Sequence, residues 1–325
     1  MRDVLVTGGA GYIGSHAVRE LDRAGYRPVT VDNLSEGHRE AVTAGELEVG
    51  DLADEDFLMS VFEKYDLAAV MHFASRCYVG ESVENPRRYY EENVGNALTL
   101  LRVMLRKRVT RFILSSTCAT YGQPLQIPMS EEHPQDPVNP YGESKFFIER
   151  ILRQYDRAYG LRFVSLRYFN AAGASLDAQI GEAHDPETHL IPLIFRVAGG
   201  SKRNLKGYGD DYPTEDGTCV RDYIHVVDLA AAHVSALKWL EQDGKSDFFN
   251  LGTGLGYSVL QMIKMAEEVT GKSVSFEVGP KRDGDPPELI ADPSKALDLL
   301  GWRAQHSDLR TVLETSWRWE TNRRY

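Results

Sequence analysis

A glycine-rich loop near the start of the chain limits the possible folds more than any other feature. Residues 8–14 read Gly-Gly-Ala-Gly-Tyr-Ile-Gly and lie between a short β-branched run and residues 13–24, where apolar positions recur at helical spacing. In such a strand–turn–helix unit, Gly8 permits a tight turn, Gly11 lets the backbone approach a pyrophosphate, and Gly14 allows the helix to pack closely on the strand. The spacing therefore predicts a dinucleotide-binding loop, with the free N–H groups of the helix N-terminus facing the phosphates.

Strands and helices continue to alternate through the first half of the chain. Buried strands are predicted at residues 28–31, 47–49, 68–74 and 111–117, and the longest helical candidate is 87–107. Such alternation implies right-handed crossovers and a parallel sheet covered by helices on both faces. The predicted fold class is therefore α/β, with a Rossmann-like doubly wound parallel sheet.

In the second half the pattern loosens, because closely spaced glycines break it into short loops suited to shaping a ligand site. A strand at residues 248–251 followed by a helix at 259–269 predicts that the chain returns to the sheet. We predict a dinucleotide-binding domain over residues 1–172, rejoined by segments near 218–255. Residues 173–325 are expected to form mainly a smaller, substrate-binding domain.

Charge and composition narrow the classes of partner. The 325-residue chain has a formal net charge of −11, which disfavours a nucleic-acid groove because such grooves need clustered Lys and Arg. Its three cysteines, Cys77, Cys118 and Cys219, show no C-x-x-C pairing, and the nine histidines show no H-x-x-x-H spacing, so neither a disulfide framework nor a metal site is expected. No run reads as a signal peptide or a membrane span, so we expect a cytoplasmic protein without a membrane partner.

An aspartate identifies the expected dinucleotide. Asp32 ends the second predicted strand, 18 residues beyond Gly14, where a carboxylate can accept hydrogen bonds from both hydroxyls of an adenosine ribose. A 2′-phosphate at this place would meet like charge, so NAD is expected and not NADP. Asp51, after the third strand, is a candidate for contact with the adenine, although an exposed acid at a strand end explains it equally well.

A tyrosine and a lysine suggest acid–base chemistry. Tyr141 and Lys145 are four residues apart, so they share one face of a helix. A free tyrosine has a pKa of about 10, and action as a base near neutral pH requires roughly 4 kcal/mol in favour of the phenolate; a lysine ammonium and an oxidised nicotinamide would favour it. Thr117, at the end of the fifth strand, would hydrogen-bond the substrate hydroxyl. The Y-x-x-x-K spacing is a weak signal alone, and its position after the dinucleotide loop gives it weight.

Several further runs resemble those of the UDP-glucose 4-epimerase family, within the extended short-chain dehydrogenases, whose loop also has the G-x-x-G-x-x-G spacing. The resemblance covers nearly the whole chain. The runs are residues 7–16, 31–34, 72–74, 79–83, 168–170, 211–218, 220–226 and 250–252.

The resemblance implies two sets of binding residues. NAD would be held by the loop glycines and by residues from the first half of the chain: Gly8, Gly11, Tyr12, Ile13, Gly14, Asp32, Asn33, Asp51, Leu52, Phe73, Ala74, Asn93, Tyr141, Lys145 and Phe169. The nucleotide sugar would be held by Thr117, Asn170, His189, Leu190, Tyr208, Arg221, Arg282, Asp285 and Leu289. Of these, Arg221 and Arg282 would hold the diphosphate.

The resemblance also implies a reaction, the 4-epimerisation of UDP-glucose and UDP-galactose. Tyr141 would remove the proton of the sugar 4-hydroxyl while hydride passes from C4 to NAD, giving a transient 4-keto sugar. The keto sugar would turn over and take the hydride back on its opposite face. Homodimers are usual in this family.

The sequence departs from the family pattern at three positions. Cys77 stands where several members have a lysine that helps to hold the cofactor, so cofactor retention is expected to be weaker. Position 189 is histidine where some members have asparagine, and position 289 is leucine where some have tyrosine or a smaller residue. Tyr78, beside the first departure, would either narrow the sugar site or pack against the following helix.

Alternative functions remain at this stage. A nucleotide-sugar 4,6-dehydratase or decarboxylase would begin with the same oxidation but places acidic residues after the Thr or Ser, where this chain has Cys118 and Ala119. A catalytically silent NAD-binding sensor would be expected to lose the Tyr–Lys pair. Within the 4-epimerases, a UDP-pentose (xylose or arabinose) or a UDP-N-acetylhexosamine substrate is the alternative to a hexose.

Overall fold

The computed structural model describes residues 2–282 and 284–325. Its strands, in chain order, are β1 (Asp3–Thr7), β2 (Arg27–Asp32), β3 (Glu46–Val49), β4 (Leu67–His72), β5 (Arg111–Thr117), β6 (Arg162–Tyr168), β7 (Asn170–Ala172), β8 (Leu205–Tyr208), β9 (Val220–Arg221), β10 (Tyr223–His225), β11 (Asp247–Leu251), β12 (Tyr257–Ser258), β13 (Phe276–Gly279) and β14 (Glu288–Leu289). Its α-helices are α1 (Tyr12–Arg23), α2 (Glu55–Lys64), α3 (Val79–Glu84), α4 (Pro86–Tyr89), α5 (Asn96–Lys107), α6 (Pro140–Tyr159), α7 (Leu190–Ala198), α8 (Val226–Glu241), α9 (Val259–Thr270), α10 (Ser294–Leu300) and α11 (Leu309–Thr321).

The central sheet has seven parallel strands in the order β11-β6-β5-β4-β1-β2-β3. The predicted fold class is confirmed, and each strand predicted in the first half is present, although β4 ends at His72 and not at residue 74. The strand order reverses between β1 and β4, and in such sheets the carboxyl ends of the strands at this reversal form the ligand crevice.

Alternating side chains of the strands feed two separate cores. Val4 and Val6 of β1 pack in the core that α1 and α8 cover, whereas Leu5 packs in the core that α2, α5 and α6 cover. A strand that is buried on both faces must be apolar at successive positions, which is why β1 reads as a continuous run without polar alternation. The helices thus form a layer on each side of the sheet.

The C-terminal half adds small sheets and one more strand of the large sheet. Strand β11 pairs with β6, and α9 follows it, as the predicted strand at 248–251 and helix at 259–269 required. Short sheets pair β7 with β10, β8 with β13, and β9 with β12 and β14, and a third core lies between α7, α9 and α11. The division into two domains at residue 172 stays a prediction. None of the helices in the described part of the chain has the length and apolar content needed to cross a membrane.

The segment predicted as the longest helix is interrupted. Residues 87–107 lie in α4 and α5, but a π-helical turn at Tyr90–Gly95 separates them, and α6, with 20 residues, is the longest continuous helix. The wide turn carries the fully buried Asn93. Its side chain accepts a hydrogen bond from the Arg76 backbone N–H at 2.7 Å and donates to the Ser144 hydroxyl at 3.0 Å. Apolar periodicity does not reveal a π turn, because the flanking positions keep helical spacing.

A buried ion pair joins α6 to the sheet. Glu149 of α6 accepts two hydrogen bonds from Arg167 of β6, at 2.7 and 3.0 Å, and both side chains are 1% exposed. The hydroxyls of Ser116 and Ser165 each donate to Glu149 at 2.8 Å. Burial acts to raise the pKa of the Glu149 carboxyl, but Arg167 and these donors hold it below its ordinary value. The pair is fully hydrogen-bonded, which is the condition under which a buried charge is tolerated.

We expect Glu149→Gln to lower the free energy of unfolding by about 3–5 kcal/mol, because it leaves the Arg167 guanidinium buried beside a neutral partner. Equilibrium urea unfolding measures the change. The matched control is Asp156→Asn, which removes the exposed pair of Asp156 with Arg162 on the same helix and should change stability by about 1 kcal/mol at most. A loss for Glu149→Gln no larger than that of the control would contradict the prediction.

Candidate active site

A cleft of about 710 Å³ opens at the carboxyl ends of the central strands. Its size is within the roughly 300–1,000 Å³ of small-molecule sites. The side chains or backbone of all the residues predicted for the cofactor line it, as do those predicted for the nucleotide sugar with the exception of Tyr208. The structure therefore brings the two predicted sets into one cavity, while the role of each residue stays a prediction.

The glycine-rich loop leaves no room for side chains on one wall of the cleft. Gly8 has a φ of +74°, and a Cβ added to it would lie 2.5 Å from the Ala74 backbone nitrogen. A Cβ on Gly14 would lie 2.1 Å from the Gly8 carbonyl oxygen. Gly11 is the N-cap of α1, and the first turn of that helix carries no acidic residue, so its free N–H groups face the cleft without a competing anion. These residues fit the pyrophosphate of a dinucleotide.

Asp32 is fixed at the end of β2 by the loop and by the next turn. One carboxylate oxygen accepts the Ala10 N–H at 3.0 Å and the other accepts the Leu34 N–H at 2.8 Å. Burial raises the pKa of the Asp32 carboxyl, and these two hydrogen bonds act against that rise. Each oxygen keeps a lone pair for a ribose hydroxyl. Nearby, the Asn33 amide donates to Asp51 at 2.8 Å and so links the ends of β2 and β3.

The first turn of α6 places Tyr141 and Lys145 against β5. Asn139 caps the helix by accepting the Gly142 N–H at 2.9 Å. A Cβ on Gly142 would lie 2.3 Å from the Ala119 carbonyl oxygen, so only glycine lets α6 start this close to the turn after β5. Lys145 is 3% exposed and donates to the Ser115 carbonyl oxygen at 2.9 Å. The predicted pair therefore lies on the sheet-facing side of the helix.

The protein groups around Tyr141 favour its neutral form. Burial raises the pKa of the Tyr141 phenol well above its ordinary value, Tyr168 adds to the rise, and the hydroxyl of Thr117 acts in the opposite direction. Burial also lowers the pKa of Lys145 to about 8. Burial, the largest effect on the Tyr141 pKa, thus opposes the lowering that was expected from Lys145. The positive charge of an oxidised nicotinamide would favour the phenolate.

Thr117 ends β5 in the floor of the cleft. It is 6% exposed, and its hydroxyl oxygen accepts the Ala119 N–H at 3.1 Å, so it caps the turn that follows. The hydroxyl keeps its own proton to donate to a substrate oxygen. Cys118, the next residue, is a neutral thiol because burial raises its pKa to about 12.

Two arginines lie at the far end of the cleft. Arg221 pairs with Asp285 at 2.6 Å, so two of the predicted substrate residues bind each other. Arg282 lies over the ring of Tyr208, 3.9 Å from its centroid. Tyr208 thus packs against Arg282 beside the cleft, and its contact with the nucleotide sugar stays a prediction.

The stretch that departs from the family pattern forms part of the cleft wall. Arg76, which the sequence argument did not select, pairs with Glu36 and with Glu92 and brings a cation next to Cys77. The Tyr78 ring lies 5.9 Å from that of His184, and its hydroxyl donates to Glu36 at 3.3 Å. Tyr78 therefore lies in the cleft wall directly before α3, and its effect on the sugar site stays a prediction.

His189 lies in the cleft wall with one ring nitrogen already engaged. Its Nδ1 is 2.9 Å from carboxylate oxygens of both Glu182 and Glu187. Burial acts to lower the pKa of His189, but the two carboxylates raise it well above its ordinary value. Glu182, His184 and Glu187 were not predicted as site residues, although the spacing E-x-H-x-x-E-x-H before α7 places these side chains close together in the chain.

Comparison with known proteins agrees with this geometry. Residues 4–252 match the NAD dependent epimerase/dehydratase family. The chain is 49% identical over 320 residues to the UDP-glucose 4-epimerase of Lacticaseibacillus casei, an alignment that covers 98% of this chain and 97% of that protein.

Solved structures are similar over nearly the full length. The UDP-glucose 4-epimerase of Brucella ovis in complex with NAD has a TM-score of 0.96 and 49% identity, with 98% of each chain covered. That of Stenotrophomonas maltophila, with bound NAD and formylated UDP-arabinopyranose, has a TM-score of 0.96 and 39% identity, with 99% of this chain and 98% of that chain covered. The sequence match and the shared fold lead to one conclusion: this chain belongs to the NAD dependent epimerase/dehydratase family.

Proposed function

We propose that this chain is an isomerase that catalyses the NAD-dependent 4-epimerisation of a UDP-sugar, with UDP-glucose and UDP-galactose as substrates, through a transient 4-keto sugar. The observation that carries the proposal is the placement of Thr117, Tyr141 and Lys145 in the same cleft as a dinucleotide-binding loop. The proposal is supported by 45–49% identity to UDP-glucose 4-epimerases. A homodimer is proposed from the family resemblance alone, and a cytoplasmic location from a cysteine pattern without a disulfide framework.

Each residue of the cleft would have a separate role in the proposed 4-epimerisation. NAD, when bound, supplies a hydride acceptor for C4 of the sugar and later returns the hydride. Tyr141 takes the proton of the 4-hydroxyl and gives it back, while Thr117 orients that hydroxyl by a hydrogen bond. Lys145, held by the Ser115 carbonyl, lies one helical turn from the phenol. Arg221 and Arg282 hold the diphosphate while the sugar turns over.

Two other functions are disfavoured by particular residues. A dehydratase or decarboxylase needs acidic groups after Thr117, and positions 118 and 119 carry a neutral thiol and a methyl group. A silent NAD-binding sensor does not require an acid–base pair, whereas Tyr141 and Lys145 are both buried in the cleft.

A UDP-pentose is the second candidate substrate. Tyr78 lines the cleft beside His184, where an aromatic ring would reduce the space for a hydroxymethyl group. On the other side, Leu289 packs near Phe169 and Cys118 and leaves more room than a tyrosine would, so N-acetylated sugars are not strictly excluded. A single apolar contact changes discrimination by only about 1–3 kcal/mol, so the preference should be a ratio of rates.

Tyr141→Phe should leave the fold and the NAD content nearly unchanged and should lower turnover by a factor on the order of 10² or more, because it removes only the acid–base group. Turnover is measured with UDP-galactose. The control is Tyr159→Phe on the same helix, whose parent side chain is 59% exposed and whose turnover should match wild type. If Tyr141→Phe keeps more than about half of wild-type turnover, the base is another group.

The purified protein should contain NAD and not NADP, because Asp32 would repel a 2′-phosphate. Mass spectrometry of the heat-released cofactor is the test, and tighter binding of NADP would overturn the role of Asp32.

Because Cys77 stands where relatives have lysine, some preparations should lose cofactor and regain activity with added NAD. Cys77→Lys should then retain more cofactor through the same purification; equal and complete occupancy in both proteins would show that Cys77 has no effect.

UDP-galactose should be a better substrate than UDP-arabinose or UDP-N-acetylgalactosamine. The measurement is kcat/KM for the three sugars on one preparation. A competitor that exceeds UDP-galactose by tenfold, about 1.4 kcal/mol in transition-state stabilisation, would exclude the hexose assignment. If Tyr78 narrows the sugar site, Tyr78→Ala should raise kcat/KM for UDP-galactose relative to kcat/KM for UDP-arabinose.

A further inference from the structure

Four side chains converge in the loop that precedes α7. One nitrogen or oxygen from each of Glu182, His184, Glu187 and His189 lies within 4.8 Å of the other three. Glu182 Oε1 is 2.9 Å from His189 Nδ1 and 3.2 Å from His184 Nδ1, and Glu187 Oε2 is 3.8 Å from His184 Nδ1. The arrangement is compact and combines two imidazoles with two carboxylates.

Two of these atoms are buried without a hydrogen-bond partner. The Glu187 side chain is 0% exposed, yet its Oε2 accepts no hydrogen bond among the described residues, and His184 Nδ1 makes none either despite its 3.2 Å distance from Glu182. An unsatisfied buried polar group is destabilising, and more so when it is charged. A carboxylate oxygen and an imidazole nitrogen that face each other at 3.8 Å leave a place for a cation between them.

The other Glu187 oxygen is fully used. Its Oε1 accepts the backbone N–H groups of Thr188 and His189, both at 2.8 Å, and lies 2.9 Å from His189 Nδ1. The carboxylate is therefore held in one orientation with Oε2 turned toward His184. Fixing a ligand through its second atom is how metal sites orient their carboxylates and histidines.

We propose that Glu182, His184, Glu187 and His189 form a binding site for one divalent transition-metal ion of the Zn²⁺ class. Two imidazole nitrogens and two carboxylate oxygens are a donor set that such ions accept, whereas Mg²⁺ and Ca²⁺ prefer oxygen alone. With bonds of about 2.0–2.2 Å, tetrahedral ligand atoms lie roughly 3.4 Å apart. The separations of 2.9, 3.2 and 3.8 Å within the cluster lie on either side of that spacing. The ion displaces the proton that His189 holds between the two carboxylates.

The site is separate from the reacting groups proposed above. Glu182, His184 and His189 line the cleft, but none of them belongs to the set of Thr117, Tyr141 and Lys145. The ring of Tyr12 meets that of His184 edge-on at 6.3 Å, so the cluster lies against the first turn of α1. The expectation of no metal site rested on H-x-x-x-H spacing, which does not describe ligands that alternate with glutamates in a loop.

The test titrates the chelator-treated full-length protein with Co²⁺ and Zn²⁺. We expect one equivalent of Co²⁺ to give the visible absorption of a four-coordinate ion without a thiolate charge-transfer band, one equivalent of Zn²⁺ to displace it, and the melting temperature to rise. His184→Gln and Glu187→Gln should each weaken binding at least tenfold. His306→Gln, at a partly exposed histidine elsewhere, and Cys77→Ser should bind as wild type does.

Several outcomes would overturn the site: no Co²⁺ spectrum at a stoichiometric concentration, unchanged binding in His184→Gln, or a thiolate band that Cys77→Ser abolishes. Circular dichroism of each variant shows whether a loss of metal binding comes from a lost ligand or from a lost fold. If one of the two ligand variants fails to fold, the other still tests the site. Because metal content and melting temperature are read without a sugar substrate, the result does not depend on whether the chain is a 4-epimerase.

Discussion

The buried pairing of Glu149 with Arg167 fixes the position on which the cleft depends. Tyr141, Lys145 and Glu149 follow one another at intervals of four residues, so they form one polar stripe on the face of α6 that meets the sheet. Lys145 contacts the carbonyl of Ser115 and Glu149 contacts the hydroxyl of the next residue. The ion pair thus anchors α6 to β6, and the contacts of Lys145 and Glu149 anchor it to β5, on the same helix that carries Tyr141.

The residues of the cleft come from two different parts of the structure. The loop after β1, the carboxylate after β2 and the hydroxyl after β5 all come from the carboxyl ends of parallel strands, which lie along one edge of the sheet. The arginines and the Glu–His loop come instead from the small sheets and connections of the C-terminal half. The cleft thus lies between the edge of a regular sheet and a less regular layer.

The sheet edge could be predicted from the sequence because local rules determine it. Glycine spacing, β-branched runs and the Y-x-x-x-K interval each describe residues that are close in the chain. The π turn around Asn93 escaped prediction because it changes the hydrogen-bond pattern and not the apolar period. The pairing of Arg221 with Asp285, 64 residues later, and the stacking of Tyr208 on Arg282 depend on tertiary contacts that no local pattern contains. Family resemblance found those residues but not what they touch.

Gly142 has a consequence for how related chains should be compared. It follows Tyr141 directly, and the backbone of Ala119 occupies the space that any side chain there would need. A glycine next to the tyrosine in other sequences would therefore reflect the close approach of α6 to the turn after β5. It would not indicate a second catalytic group. An alanine at that position would displace the start of α6 without altering any reacting atom, and a chain that carried it would keep every motif residue and still lose their alignment.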